Sequence, residues 1–387
     1  MSFDRRAAAA SLVALLAACD GGGGGPADPD AGVGDDIGPA GNPSGACMAG
    51  VPTRGQPVAT GAPGHAVDHV VGTGTAASCT FAALEAAVTA GGVITFDCGP
   101  GVVTIPVTAT LALPIDRDTV IDGGRKVVLD GGGATQILRF DSPNFRALET
   151  TVTLQRLALV GGKATPTEAI PSPRPPPCSH GWNDGEGGAL YMRDGNLNVV
   201  DCIFRDHQAA PLGPDTGGGA IYVLGSKHGV VIADSTFEGN RASNAAAVGG
   251  LFAELAIYDS LFTGNTALGH DANNNDPARC AFMNNGQNEI GSGGNGGAIY
   301  SDGASVDVTL CGDRIVDNAA GVAAFGGGLF FTSNDFGGDL VITDTVMTGN
   351  TGGHWTQVAT GATTDAGSAV GTNAHSLTIT RSTLQGL

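Results

Sequence analysis

An eight-position pattern of apolar and polar residues recurs six times in the second half of the chain. The segments align without gaps at 197–204, 230–237, 255–262, 308–315, 340–347 and 377–384. Positions one, three and eight are apolar in nearly every segment, and position five is Asp in four of the six. Alternation followed by Asp is typical of a short strand that ends at a tight bend.

A glycine pair followed by apolar residues precedes most of these segments. It occurs at 187–191, 218–222, 249–253, 296–300 and 327–331, with a degraded sixth copy at 367–370. Gly188, Gly219 and Gly250 are each 31 residues apart, and Gly297 and Gly328 are again 31 apart. A fixed period of this length indicates a solenoid, and strand patterns with abundant glycine favour a β-solenoid over a helical one.

Stacking of such coils places like residues above like, about 4.8 Å apart, and so predicts three interior ladders of apolar side chains. The first ladder comprises Leu197, Val230, Leu255, Val308, Leu340 and Leu377. The second comprises Val199, Ile232, Ile257, Leu310, Ile342 and Ile379. The third comprises Phe204, Phe237, Phe262, Ile315, Met347 and Leu384. Three residues beyond this last position, Asn240, Asn265, Asn318 and Asn350 predict a structural ladder of hydrogen-bonded amides at a turn.

Less regular coils are predicted upstream, over residues 92–161, where short apolar runs alternate with glycine corners. Before them, residues 80–90 place Phe81, Leu84 and Val88 on one face of a helix. The first coil of a solenoid exposes an apolar edge, so we predict that this helix covers it. The sequence therefore predicts an all-β fold, a right-handed parallel β-helix over residues 46–387, with a capping region at 79–98 and regular repeats at 187–387.

The repeats of residues 187–350 also carry a resemblance to known families. The paired GGA[IL] and FxxN motifs resemble those of the chlamydial polymorphic outer-membrane proteins, which are β-helical surface adhesins. They are similar as well to predicted lipoproteins of the pectin-lyase-like superfamily. The resemblance implies the β-helix fold and is only a weak guide to function.

The first residues predict export. Arg5 and Arg6 precede an apolar run, residues 7–18, that is too short for a permanent membrane span, so residues 1–18 read as a signal peptide. The sequence Leu16-Ala17-Ala18-Cys19 resembles the bacterial lipobox, which implies cleavage before Cys19 and lipidation of its thiol. A secretory signal with a chance Cys is the alternative.

Residues 19–45, rich in Gly, Pro and Asp, then form a flexible tether. We expect an exported protein that contacts a membrane only through its lipid. The outer membrane or the cell surface is the favoured location, and the inner membrane is left open.

Charge and cysteine content exclude some classes of partner and site. The formal net charge of −19 and the presence of only three lysines argue against a nucleic-acid partner. The absence of any CxxC pair argues against a zinc or thioredoxin-type site. In an exported protein a disulfide between Cys79 and Cys98 is expected, and one between Cys178 and Cys280 is a weaker expectation. Cys47, Cys202 and Cys311 have no assigned partner.

Three insertions interrupt the repeat at 162–186, 266–295 and 351–366, and insertions at one repeat position emerge on one side of a solenoid. They contain both tryptophans. Exposed aromatic rings beside amides suit sugar recognition, so we predict that this edge binds a carbohydrate or a host or cell-surface ligand. The predicted ligand-binding residues are Trp182, Trp355, His180, His270, His354 and Asn183. Variable surface loops without a ligand are the alternative.

Catalysis is the less favoured interpretation. The enzyme would be a polysaccharide lyase or glycoside hydrolase acting on acidic polysaccharide, although galacturonase-type motifs are missing. Its candidate catalytic residues are Asp184, Glu186, Asp271, Asp276 and Arg279. No cofactor is required, but calcium is possible at the oxygen-rich cluster Asp271, Asn273, Asn275 and Asp276, which lacks the EF-hand spacing.

Overall fold

The computed structural model describes residues 37, 40–42, 44–167, 185–213, 216–272, 292–352, 358–360 and 374–385. These ranges contain one α-helix, α1 (Phe81–Ala90), and short 3-10 helices at Met48–Gly50, Thr53–Gly55 and Ala76–Ser78. No helix in them has the length and apolar content needed to cross a bilayer.

The strands, in chain order, are β1 (His69–Val71), β2 (Gly92–Phe96), β3 (Val103–Pro106), β4 (Leu111–Ala112), β5 (Thr119–Asp122), β6 (Val127–Asp130), β7 (Leu138–Asp141), β8 (Thr151–Gln155), β9 (Ala158–Val160), β10 (Leu190–Arg193), β11 (Asn196–Val200), β12 (Ile203–Arg205), β13 (Ile221–Leu224), β14 (Val230–Ala233), β15 (Thr236–Glu238), β16 (Arg241–Ala242), β17 (Val248–Leu251), β18 (Leu255–Tyr258), β19 (Leu261–Thr263), β20 (Thr266–Ala267), β21 (Ile299–Gly303), β22 (Val308–Cys311), β23 (Arg314–Val316), β24 (Leu329–Ser333), β25 (Asp339–Thr343), β26 (Val346–Thr348), β27 (Val358–Thr360), β28 (Ser376–Thr380) and β29 (Thr383–Leu384).

Three long parallel sheets contain nearly all of these strands. Sheet A has the order β1-β2-β5-β8-β11-β14-β18-β22-β25-β28. Sheet B has the order β3-β6-β9-β12-β15-β19-β23-β26-β29, and sheet C has the order β4-β7-β10-β13-β17-β21-β24-β27. The chain visits A, B and C in turn and then moves up one coil. This is the predicted right-handed parallel β-helix.

The three predicted apolar ladders are confirmed residue by residue. In sheet A, Leu197 pairs with Val230 and Val199 pairs with Ile232, and the register continues through the last coil. In sheet B the rings of Phe204, Phe237 and Phe262 stack with centroids 4.8 and 4.7 Å apart. These rings have no exposed surface. Period-two alternation turns these positions toward the inside, and their side chains are buried except in the last coil, where Leu377 and Leu384 are partly buried and Ile379 is exposed.

A tight corner joins sheet A to sheet B, and the Asp of position five forms it. Asp201, Asp234, Asp259 and Asp344 all adopt a left-handed backbone with φ between 43° and 54°. Asp tolerates this conformation better than most side chains because its short polar group can bond locally. The structural interpretation of this column as a bend is therefore confirmed.

The predicted amide ladder is also present, and it follows four consecutive sheet B strands, β15, β19, β23 and β26. Asn240 Nδ2 donates to Asn265 Oδ1 at 2.9 Å, Asn265 donates to Asn318 at 2.8 Å, and Asn318 donates to Asn350 at 2.9 Å. One coil below Asn240, His207 takes the same position, with its N–H donating to Asn240 Oδ1. Each side chain thus ties together neighbouring coils inside a region that water does not reach.

A second polar ladder, which sequence reasoning missed, lies at position six. Ser235 Oγ accepts from the Cys202 N–H, Ser260 Oγ accepts from the Ser235 N–H, and Asp313 Oδ1 accepts from the Ser260 N–H. Thr345 continues the series by accepting from Asp313. The small polar residues at this position were visible in the sequence, but only the stacking shows that each one satisfies the backbone of the coil beneath it.

Helix α1 covers the front edge of the solenoid, as predicted. It packs against β1 and β4, the first strands of sheets A and C. Leu84 and Val88 have no exposed surface. Thr80 begins the helix, since its hydroxyl accepts a 3.2 Å hydrogen bond from the Ala83 N–H.

In two coils, the residues that precede the sheet C strand differ from the glycine motif that the sequence predicted there. Val248 pairs with Ile221 and with Ile299, so residues 245–247 occupy the place of the Gly-Gly-Ala of the neighbouring coils, and the pair at 249–250 lies four positions later. In the next row Leu329 pairs with Ile299, which shifts the equivalent glycines to 326–327. Gly249 is needed for a different reason, because a Cβ there would approach the Tyr222 ring to 2.8 Å.

The strand after β24 in sheet C is β27, which begins at Val358. The predicted sixth glycine copy at 367–370 falls outside the described residues. Part of the predicted third insertion, 351–366, is therefore this strand.

Two disulfides lie within the described residues. Cys79 is bonded to Cys98, as predicted, and Cys47 is bonded to Cys311, which the sequence left unassigned. Cys202 is a free thiol in the core, where burial raises its pKa to about 12. Cys178 and Cys280 lie outside the described residues.

Residues 40–42 and 44–60 form a strap along the outside of the A-to-B corner. The Ala40 N–H donates to Asp201, and the Asn42 N–H donates to the Asp259 carbonyl two coils higher. After Cys47 the strap returns, so that Val58 meets Gln155 and Thr60 meets Asp122. Residues 40–42 had been assigned to the flexible tether, and their contacts instead place them on the solenoid surface.

Candidate functional site

Within the described residues, the links from sheet B to sheet C all lie at the same corner of the solenoid. The three predicted insertions begin in this link, after β9, β19 and β26. Their described bases contact neighbouring links: the Ala210 N–H donates to the Gly185 carbonyl, and the Gly213 N–H donates to the Ser292 carbonyl, both within 2.9 Å. The described bases of the insertions thus lie along one edge, as the repeat pattern predicted.

A polar cleft of about 750 Å³ opens at this corner. Thr135, Gln136 and Arg139 line it from the lower coil, and Lys163 and Thr165 line it from the next. A second cavity of about 350 Å³ shares Lys163 and continues upward to Gln208 and Arg241. The volume fits a short oligosaccharide or a small peptide segment.

The cleft is locally basic in a strongly acidic protein. Arg139, Lys163 and Arg241 line the two cavities, and none of the described lining residues carries a carboxylate. Arg139 is held in place by Asp141, with N–O distances of 2.8 and 3.2 Å, and its guanidinium lies 4.3 Å from the centre of the Tyr191 ring. Such a cation fixed on an aromatic face is preorganised to receive a polar or anionic group.

Gln136 connects the cleft to the first insertion. Its Nε2 donates to the backbone carbonyls of Glu186 and Gly187 at 2.8 and 2.9 Å. These two bonds hold the end of the insertion against the cleft wall. The wall is therefore built from the solenoid itself, which is more rigid than a free loop.

Few of the predicted site residues are described. Glu186 is only 1% exposed, so its carboxylate is shielded from a ligand in solvent. His270 and Asp271 are half-exposed and adjacent, with 2.7 Å between Nδ1 and Oδ2. The remaining predicted residues lie outside the described ranges: Cys19, His180, Trp182, Asn183, Asp184, Asn273, Asn275, Asp276, Arg279, His354 and Trp355.

The Asp column at the A-to-B corner is compensated by protein donors. Asp201 accepts from the Arg125 guanidinium at 2.6 Å, and Asp259 accepts from the Cys47 N–H at 2.9 Å. Asp344 pairs with Arg381. Asp234 lies between Asp201 and Asp259 in this column, and burial together with the nearby Asp201 carboxylate raises its pKa to about 6.

His207 is a buried structural residue rather than a site residue. Its Nδ1 accepts from the Gly162 N–H at 2.8 Å, so its Nε2 must donate to the Leu159 carbonyl at 3.0 Å, which requires the neutral ring. Burial lowers its pKa to about 3.

The residues of the cleft were missed because they belong to no repeat. Lys163 stood out only as one of three lysines, and Gln136 and Arg139 lie in the irregular upstream coils. The useful signal would have been the location of Lys163 at the base of the first insertion.

The fold and this corner together define a parallel β-helix with an open, basic cleft beside its inserted loops. No family model matches the chain, and no match was found among curated proteins or among solved structures.

Proposed function

We propose that this protein is a non-catalytic surface protein that binds a glycan or another cell-surface ligand at the B-to-C corner. The observation that carries the proposal is the polar cleft of about 750 Å³, with Lys163 and Arg139 in its wall, at the base of the inserted loops. A stack of hydrogen-bonded coils supplies a rigid platform for such a site. Hydroxyl, amide and cationic groups suit the hydroxyls and acidic substituents of sugars.

We further propose that the protein is exported and lipid-anchored through Cys19. Two disulfides among the described residues support an oxidising compartment outside the cytosol. The outer membrane or cell surface remains the favoured location. The resemblance of the repeats to chlamydial polymorphic outer-membrane proteins and pectin-lyase-like lipoproteins supports an adhesive role at that surface.

A glycan array and a cell-adhesion assay with the purified protein test the binding proposal. We expect Lys163→Ala to weaken binding about tenfold, as the loss of one charge-assisted hydrogen bond would. Lys126→Ala is the matched control, because Lys126 caps the Pro100 carbonyl on a different part of the surface. We also expect Trp182→Ala and Trp355→Ala to weaken binding. Blank results in both assays would refute the proposal.

An enzyme that degrades acidic polysaccharide remains the second candidate, for one reason. A lyase needs a base, which is often a Lys or Arg side chain in its neutral form, and Arg139 and Lys163 both line the cleft. Incubation with a panel of acidic polysaccharides separates the two functions. New reducing ends or unsaturated sugars, lost in Lys163→Ala, would establish catalysis and contradict the binding-only proposal.

Calcium binding at Asp271 and its neighbours stays a prediction. A calcium titration followed by thermal unfolding tests it. An unchanged melting temperature would remove calcium from the account.

A further inference from the structure

A short parallel ladder runs along the B-to-C corner, one position beyond the buried Asn ladder. Lys163 pairs with Gln208 and Gln208 pairs with Arg241, each through a parallel bridge between neighbouring coils. Arg241 then pairs with Thr266, the first residue of β20. Paired residues of parallel strands lie about 4.8 Å apart, so two spacings, roughly 10 Å, separate Lys163 from Arg241.

The first three side chains of this ladder point away from the solenoid. Gln208 and Arg241 are exposed and Lys163 is half-buried. The residues that follow them are buried alanines, namely Ala164, Ala209 and Ala242. All three residues line the cavity of about 350 Å³, whose remaining walls are mostly apolar and include Pro211 and Leu268. We call Lys163, Gln208 and Arg241 the donor row.

The donor row places a neutral amide between two cations. Within the described part of the chain, neither Lys163 nor Arg241 forms an ion pair. By contrast, Arg205 on the neighbouring strand β12 is bonded to Glu238. Gln208 offers both N–H donors and a carbonyl acceptor. The row therefore presents two unpaired positive charges with a group between them that suits a hydroxyl or an amide.

Hydrogen bonds between the coils fix this spacing. The Arg241 N–H donates to the His207 carbonyl, and the Ala209 N–H donates to the Arg241 carbonyl, both at 2.9 Å. One residue earlier in each coil, the His207 N–H donates to Asn240 Oδ1. The coil stack thus sets the backbone of the donor row, and the separation of its charges is preorganised.

We propose that the donor row binds a linear glycan in which acidic and uncharged sugars alternate, and that this glycan lies parallel to the solenoid axis. Such selectivity rests on the proposed glycan-binding function and adds to it the spacing of the acidic groups. In an extended glycan, one sugar and its linkage advance the chain by close to one coil spacing. Acidic groups on every second sugar therefore reach Lys163 and Arg241, and the uncharged sugar between them faces Gln208.

Other glycans fit the donor row less well. When every sugar is acidic, one carboxylate faces the neutral amide of Gln208, where no cation compensates its charge. When no sugar is acidic, Lys163 and Arg241 lack the opposite charges that strengthen their hydrogen bonds. The apolar walls of the cavity suit the C–H face of a sugar ring in each case, so the pattern of charge decides the selectivity.

Isothermal titration calorimetry of the full chain with three tetrasaccharides tests this selectivity. The first alternates glucuronate with N-acetylglucosamine, the second contains only galacturonate, and the third contains only N-acetylglucosamine. We expect the alternating glycan to bind about tenfold more tightly than either of the others, which is the effect of one charge-assisted hydrogen bond. Lys163→Gln and Arg241→Gln should each remove most of this preference. The control Lys126→Gln should keep it, because Lys126 contacts the Pro100 carbonyl on a different part of the surface.

Gln208→Lys tests the register of the donor row directly. The change puts a third cation one coil spacing from each of the other two. The glycan that contains only galacturonate should then gain about tenfold in affinity, and the preference for the alternating glycan should disappear. Gln208 is exposed, so the substitution should leave the coil stack intact. An unchanged ratio of the two affinities in Gln208→Lys would overturn the proposal.

Two further results separate this selectivity from glycan binding itself. Equal affinities of the wild-type chain for the alternating and the uniformly acidic glycan would overturn the proposal, while the glycan-binding function would stand. Lack of binding to all three tetrasaccharides would also overturn it, and a blank glycan array and adhesion assay in addition would refute both. The three glycans are compared on the wild-type chain, so the result stands even if a variant folds poorly.

Discussion

Asn265 gives the sharpest test of how the coils are held together. Its Nδ2 donates to Asn318 Oδ1 at 2.8 Å and to the Phe237 carbonyl at 3.0 Å. Its Oδ1 accepts from the backbone N–H and from Nδ2 of Asn240, at 3.0 and 2.9 Å. All of these groups are buried, so Asn265→Ala removes four hydrogen bonds and leaves their partners away from water.

The expected loss follows from these contacts. A buried hydrogen bond contributes about 1 kcal/mol net, and leaving a partner unsatisfied adds to the loss, so the free energy of unfolding should fall by about 3–5 kcal/mol. Part of the penalty is avoided if water enters the space left by the amide. The melting temperature should then drop by roughly 2–4 °C for each kcal/mol lost.

Urea unfolding followed by circular dichroism measures this loss. Thr263→Ala is the matched control, two residues away on β19 with a half-exposed side chain, and it should change stability by less than about 0.5 kcal/mol. A loss below about 1 kcal/mol in Asn265→Ala would refute the reasoning, because the ladder would then be a consequence of stacking and not a cause of its stability.

Three further predictions concern single buried side chains. Because the pKa of His207 falls to about 3 in the fold, its unfolded form gains a proton first as the pH drops below about 6.5. Relative to His207→Asn, the wild type should therefore lose about 1.4 kcal/mol of stability for each pH unit between pH 6 and 4. Urea titrations in which the two proteins show the same pH dependence would contradict this. Burial raises the pKa of Asp313 well above its usual range, so its carboxylate costs stability as the pH rises above about 4. Asp313→Ser, which restores the hydroxyl of this ladder, should gain stability over the wild type between pH 4 and 8; a gain independent of pH would contradict the charge argument. Phe237→Ala should cost about 3–5 kcal/mol in urea unfolding, whereas Ile379→Ala, 38% exposed in the last coil, should cost far less, and equal losses would show that burial is not the cause.

The apolar ladders could be predicted because each depends on local alternation. Leu197 and Val199 point inward for the same reason as Val230 and Ile232, and a one-residue slip would turn the whole row to solvent. The Asn column was equally predictable, since it lies at a constant distance from the third ladder. Sheet C was harder to predict, because Gly249 belongs to a glycine pair that resembles the repeat motif in sequence. The structure requires glycine there for another reason, since the Tyr222 ring leaves no room for a Cβ.

The candidate site was predictable only in its location. The corner follows from the position of the insertions between repeat elements. The side chains that line the cleft come from different coils, such as Gln136, Lys163 and Arg241, and no spacing in the sequence brings them together. Stacking puts residues far apart in the chain about one strand spacing from each other.

The sequence by itself determined the solenoid, its three ladders and the Asp bends, because each depends on contacts between equivalent positions of neighbouring coils. Only the tertiary structure decided the strap. Cys47 lies 264 residues before Cys311, in a segment rich in glycine and proline with no periodic pattern. Its docking depends on carboxylates that the solenoid first has to align, so the partner surface exists only once the coils have stacked.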